Sequence, residues 1–189
     1  MEYLSHPDKL LRKHLSNVCN IGIKKLESLD IDYEKLDNRL DKDIFKKLMS
    51  IVLLSHDVGK YSLFFQYYIR KENELIIPSE LLLIKDIYKQ KLKNHSLLSG
   101  IVLYTILKES EFKNNIKLID MAISALIQHH SNLKNQNYFL DYNYSDIEYI
   151  KKTLDYIDFE EYIEILKEYN IYYGFDNISL KENIENNIN

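Results

Sequence analysis

Residues 48–66, LMSIVLLSHDVGKYSLFFQ, join an apolar run directly to a compact polar cluster, and no other stretch narrows the possible folds as much. Leu48, Met49, Ile51, Val52, Leu53 and Leu54 are apolar on nearly every side of a helix. That pattern marks a segment covered by neighbours all round, not an amphipathic surface helix. His56, Asp57, Gly59 and Lys60 follow at once. Imidazole, carboxylate and ammonium groups at the end of a buried helix are costly to desolvate unless something satisfies them. Gly59 reads as a stop signal, which places His56 and Asp57 in the C-terminal turn, where the negative end of the helix dipole favours a cation. A metal ion bound by His56 and Asp57 meets both requirements.

At 189 residues the chain is most simply one domain, residues 1–189, long enough to enclose a sizeable core. Only 4 Gly and 2 Pro punctuate a sequence that is 46% hydrophobic, and its Leu/Ile/Lys/Glu stretches recur at helical spacing, so an all-α protein with few or no strands is expected. A lone cysteine, Cys19, excludes an internal disulfide framework and fits a reducing cytoplasm. The opening MEYLSHPDKLLRKHL lacks the continuous apolar core of a signal peptide and is expected to stay on the mature protein. The longest apolar run is far short of the roughly 20 residues that span a bilayer, which argues against a membrane role. A net charge of −4 excludes gripping duplex DNA by bulk electrostatics, so any nucleic-acid binding must come from a local groove, a metal site or a partner.

Along the chain, residues 6–19 place Leu10, Leu11, His14, Leu15 and Val18 at helical spacing, with Pro7 in a first turn. A second apolar stripe covers Ile21 to Leu36, Asn38 to Asp43 reads as an exposed connection, and Asp43 is a candidate cap for the central helix. The aromatic run after Lys60 continues as a helix to about Lys71, and ENELIIPSE is a loop ending in a helix start at Pro78-Ser79-Glu80. An amphipathic segment follows over Leu81 to Lys93. Asn94 then caps a strongly apolar helix, His95 to Lys108, and residues 116–130 form another buried helix ending in His129 and His130. A polar, tyrosine-rich loop leads to helices near Asp146–Tyr156 and Phe159–Tyr169, and SLKENIENNIN is a frayed helix.

Of six histidines, His14, His56, His95, His129 and His130 sit on, or at the ends of, segments read as core helices. One such residue alone is more often a hydrogen-bonded core histidine than a ligand. Five in one small domain beside Asp57 are satisfied together by a metal cluster more readily than one by one. His6 is read as a solvent-facing residue before Pro7. Lys60 is either a solvated lysine or a cation near a phosphoryl oxygen. Tyr61, Phe64, Phe65, Tyr67 and Tyr68 are read as core packing and not as a base-stacking platform. The acidic residues after Asp141 are read as a solvated face.

The ordered set LLRKHLSNV, SHDVGK with a nearby FFQ, HSLLSG and IQHHSN resembles the HD nuclease domain of type I CRISPR-associated interference systems, within the HD phosphohydrolase superfamily. The resemblance covers roughly residues 6–132, which leaves C-terminal helices over 145–189, and it implies an HD-domain helical bundle. It makes His14, His56 and Asp57 ligands of one metal, with Asp57 bridging to a second metal held by His95, His129 and His130, and it puts Lys60 beside the metals. A late aspartate usually completes the first site in that family. Asp146, Asp155, Asp158 and Asp176 are available, and none sits in a convincing motif.

An imidazole-rich set with one carboxylate suits Mn, Fe, Ni, Co or Zn better than the all-oxygen shell preferred by Mg, though Mg remains possible. Two metals sharing Asp57 suit hydrolysis of a phosphodiester. The expected activity is therefore metal-dependent cleavage of DNA, single-stranded by preference, because a flexible strand reaches a buried cluster more easily than a duplex does. The resemblance implies a separate helicase subunit and a crRNA-guided surveillance complex as partners. Two other readings stay open: an HD phosphohydrolase of nucleotides or cyclic dinucleotides, with a closed pocket, and an inactive HD scaffold that binds a helicase.

Overall fold

The protein, analysed as a computed structural model, is described over residues 1–36, 40–82, 84, 95–128 and 144–188. The chain opens with an antiparallel hairpin, β1 (Leu4–His6) and β2 (Lys9–Leu10), in which Leu4 pairs with Leu10 and His6 with Lys9. Helix α1 (Leu11–Glu27) follows without a break. Pro7 therefore lies in a hairpin turn, not in the first turn of a helix beginning near residue 6. Strand pairing, and the Leu11 N–H donating to the Tyr3 carbonyl at 2.8 Å, take up backbone groups that such a helix would have used. Helix α1 also runs through Ile21, joining the two apolar stripes read separately from the sequence.

After a single turn, α2 (Tyr33–Leu36), comes the central helix α3 (Lys42–Ser55). Its N-cap is Asp41, whose carboxylate accepts from the Ile44 N–H at 2.8 Å, and not Asp43, which lies in the first turn. A 3-10 turn (Val58–Tyr61) leads into α4 (Leu63–Glu72) and α5 (Ser79–Leu82). Then come α6 (Ser96–Lys108), α7 (Ile116–Ile127), α8 (Tyr144–Leu154), α9 (Glu160–Glu168) and α10 (Asn177–Ile188). The fold is all-α, as expected, with the hairpin and an isolated bridge between Ser62 and Ile157 as its strand pairing among the described residues. No helix among them is long and apolar enough to cross a membrane.

Helix α3 meets α1, α6, α7 and α9, and Leu48, Ile51 and Leu54 are buried, as an apolar run of this kind requires. Tyr61, Phe64, Phe65 and Tyr67 are buried in the core, in keeping with packing as their role. Helix α10 is docked and not frayed: Leu180 and Ile184, one turn apart, are fully buried, and Asn187 Nδ2 donates to Thr105 Oγ1 of α6 at 3.0 Å. Most of the segment read as amphipathic, the Asn94 cap and the tyrosine-rich stretch lie outside the described residues.

Candidate metal centre

Helix α1 buries Leu11, Leu15 and Cys19, and His14 shares that side of the helix, so the packing of α1 on α3 carries its ring to the end of α3. Helix α3 stops at Ser55. His56 is its C-cap and Asp57, at φ −122° and ψ 13°, is the next residue, so both lie at and just past the terminus and not within the last turn. That terminus is itself anchored. Ser55 Oγ donates to the Ile51 carbonyl at 2.7 Å and lies 2.7 Å from the hydroxyl of the fully buried Tyr162 on α9.

Gly59 is not a left-handed stop, since its φ is not positive. A Cβ at that position would lie 2.3 Å from the backbone oxygen of His95, so glycine is needed for the close approach of the 3-10 turn to the start of α6. The Gly59 N–H also donates to Ser99 Oγ on α6 at 2.9 Å. These contacts set His95, in the N-cap position of α6, against Asp57.

The carboxylate of Asp57, with 3% of its side chain exposed, has different neighbours at its two oxygens. Oδ2 lies 3.0 Å from Nε2 of His14, 3.4 Å from Nε2 of His56 and 2.8 Å from Nζ of Lys60. Oδ1 lies 3.0 Å from Nε2 of His95. The His14 and His56 Nε2 atoms are 3.1 Å apart. Atoms sharing one ion at about 2.1 Å stand about 3.0 to 3.4 Å from one another, so His14, His56 and Asp57 fit a divalent metal. The His56 Nδ1–H donates to the Leu53 carbonyl at 2.7 Å, and this tautomer leaves Nε2 as the lone-pair nitrogen facing the cluster, as a ligand requires. His14 Nδ1 is buried without a hydrogen-bond partner among the described residues, so its ring is engaged through Nε2.

Lys60 is not solvated. Its side chain is 6% exposed, and besides Asp57 it donates to the Ser5 carbonyl at 3.3 Å and faces the Phe65 ring at 5.3 Å from the centroid. The hairpin is thus part of the site. His6, read as merely solvent-facing, is exposed but stands edge-on to His14 with ring centroids 5.2 Å apart. Partial burial, and then the positive charge of Lys60, hold its pKa below the ordinary histidine value.

The structure therefore brings together His14, His56, Asp57, Lys60 and His95. His129 and His130 lie outside the described residues. Among the described residues, the group of ligand atoms close enough to share one ion is His14, His56 and Asp57, with no later carboxylate in it. Asp158 and Asp176 cap local backbone instead: they accept from the Glu160 N–H at 3.0 Å and the Ser179 N–H at 2.7 Å. The late acidic face is also not uniformly solvated, since Glu161 accepts from the Tyr61 hydroxyl at 3.2 Å and burial raises its pKa.

Two residues around the cluster escape a reading of the sequence as participants. Ser5 belongs to a hairpin whose strands are too short to show alternation. Gln66 enters only as part of FFQ, and its signal is a lone amide inside an aromatic helix face.

A family model described as Cas3, HD domain matches residues 8–167, which includes α8 and α9, beyond the stretch whose motifs carry the resemblance. No curated protein and no solved structure gives a match.

Proposed function

The chain belongs to the Cas3, HD domain family, as an HD nuclease domain of a type I CRISPR Cas3-like protein, and from that premise we propose that it hydrolyses single-stranded DNA at two divalent metals. The observation that carries this reading is the division of Asp57, with His14 and His56 at Oδ2 and His95 at Oδ1. In it, His14, His56 and Asp57 would hold one ion, and Asp57 and His95, with His129 and His130 as the resemblance implies, would hold the other. The donor set suits Mn, Ni, Co, Fe or Zn, with Mg possible. Bound there, such ions lower the pKa of water and stabilise charge on the oxygens of a phosphodiester.

The chain's own residues supply position and charge. Asp57 fixes the separation of the two ligand sets, the Leu53 carbonyl fixes the His56 ring, and the Lys60 ammonium offers donors toward a phosphoryl oxygen at the cluster's edge. The recessed ligands favour a flexible strand over a duplex. Residues 1–189 act as one HD-type nuclease domain in the cytoplasm, supplied with single strands by a separate helicase subunit recruited by a crRNA-guided complex.

The test is incubation of the purified chain with circular single-stranded DNA across a panel of divalent metals, with cyclic dinucleotides as control substrates. Metal-dependent cleavage of the circle is expected. Hydrolysis of cyclic dinucleotides alone would replace this reading with that of a nucleotide phosphohydrolase, and metal binding with no turnover of either would leave an inactive scaffold.

A further inference from the structure

Gln66 is wholly buried in the aromatic run of α4, where a side-chain amide needs partners for two donors and two acceptor positions. It has all four. Nε2 donates to the Leu4 carbonyl at 2.9 Å and to the Lys60 carbonyl at 2.8 Å. Oε1 accepts from the Leu4 N–H at 2.9 Å and from Arg70 Nη1 at 2.6 Å. Arg70, also buried, donates Nη2 to the Glu2 carbonyl at 2.7 Å. The amide thus pairs with both backbone groups of Leu4, as a neighbouring strand would, while gripping the main chain of Lys60. The far end of Lys60 is held by the same strand, through the Ser5 carbonyl.

We infer that Gln66 is a positioning residue: it locks the N-terminal strand to the Lys60 turn, so that the Lys60 ammonium stays on Asp57 and the hairpin forms one wall of the metal centre. Its kinetic consequence rests on the nuclease reading, whereas its contacts do not. Core packing alone does not call for an amide here, because an apolar side chain would fill the same space in α4. Three of the four bonds instead reach two segments outside α4, one of them 62 residues away in the chain, and the fourth aligns Arg70 on the same strand.

Gln66→Glu keeps size and shape but turns the two donors that face carbonyl oxygens into an acceptor. The full chain is treated with an amine-reactive ester, and modification of Lys60 is followed by mass spectrometry against the exposed Lys108. Lys60 is expected to react about tenfold faster in Gln66→Glu than in the wild type, with Lys108 unchanged. With Mn saturating, kcat on circular single-stranded DNA is expected to fall about 10- to 100-fold while KM stays within about twofold.

Thr153→Val removes a buried hydrogen bond to the Tyr149 carbonyl away from the site, and Lys60 should stay protected in it. Wild-type protection of Lys60 in folded Gln66→Glu, or equal release in Thr153→Val, would overturn the inference. Should Gln66→Glu not fold, Arg70→Lys, which keeps the charge but loses the fork between Gln66 and Glu2, decides in its place: release of Lys60 supports the role and protection removes it. A wild type that cleaves no DNA would sink the nuclease reading, while the labelling would still decide the role of Gln66.

Discussion

Nε2 of His95 lies 3.0 Å from Oδ1 of Asp57, the carboxylate oxygen that His14 and His56 leave to it. One side chain therefore joins a helix end and a helix start that come from distant parts of the chain. It also carries the counter-charge of the buried Lys60. Asp57→Asn is expected to abolish Mn binding and to destabilise the fold by about 3–5 kcal/mol, because it strands that ammonium without its anion. Asp57→Asn combined with Lys60→Met should recover most of the stability and none of the metal binding. Urea unfolding and calorimetric Mn titration separate the two effects, and wild-type Mn stoichiometry in Asp57→Asn would remove Asp57 from the bridge.

The parts of this arrangement legible in the sequence are those written in local pattern. The apolar run of α3 ends abruptly in His56 and Asp57, and His14 sits among leucines at helical spacing, so helices and ligand types follow directly. That His14 and His56 meet, 42 positions apart, depends on packing that no local pattern encodes, and the expectation rests on the resemblance. The hairpin is not legible because its pairing is completed by Gln66 from α4. Docking of α10 is hidden for a similar reason: Leu180, Ile184 and Ile188 make only a sparse stripe in a polar stretch, and their burial against the rest of the bundle gives them meaning.

The role of Gly59 shows the same limit and can be tested. Gly59→Ala places a methyl group against the backbone oxygen of His95, which has no flexible side chain to move aside. A loss of about 1–3 kcal/mol is expected, together with weaker binding of the ion assigned to His95. Gly174→Ala is the contrast, since Gly174 has φ +84° and a methyl group there would meet nothing within 4 Å. It should cost about 1 kcal/mol through backbone strain alone and leave metal binding untouched. Equal metal affinity in both variants would show that the turn does not set the position of His95.

Glu161 yields a pH dependence. Burial raises its pKa ahead of the opposing hydrogen bond from Tyr61. A carboxyl whose pKa rises on folding favours the folded state when protonated: the contribution is complete below the unfolded value of about 4.3 and is lost as pH climbs through the higher folded value. At neutral pH the ionised Glu161 therefore opposes folding. Glu161→Gln should raise Tm at pH 7 by the equivalent of less than about 1 kcal/mol, given the partial exposure of the site. The difference between variant and wild type should close as the pH is brought down to about 4. A gap of constant size across that range would contradict the assignment.

The two metal positions are expected to differ in strength. Among the described residues, His14, His56 and Asp57 supply three ligand atoms around Oδ2, and no later carboxylate joins them. Three protein ligands hold an ion less tightly than four, because water must complete the shell and exchanges readily. If Asp57, His95, His129 and His130 hold the other ion, a mild chelator should remove the His14 ion first, and cleavage should rise steeply with Mn concentration over the range where that weaker site fills. His14→Ala should then erase the weak phase of a calorimetric Mn titration and spare the tight one, whereas His95→Ala should erase the tight phase and leave the weak one. Two tight, equivalent sites in the wild type would mean that another carboxylate completes the His14 site, and a search by alanine substitution from Asp141 onward would identify it.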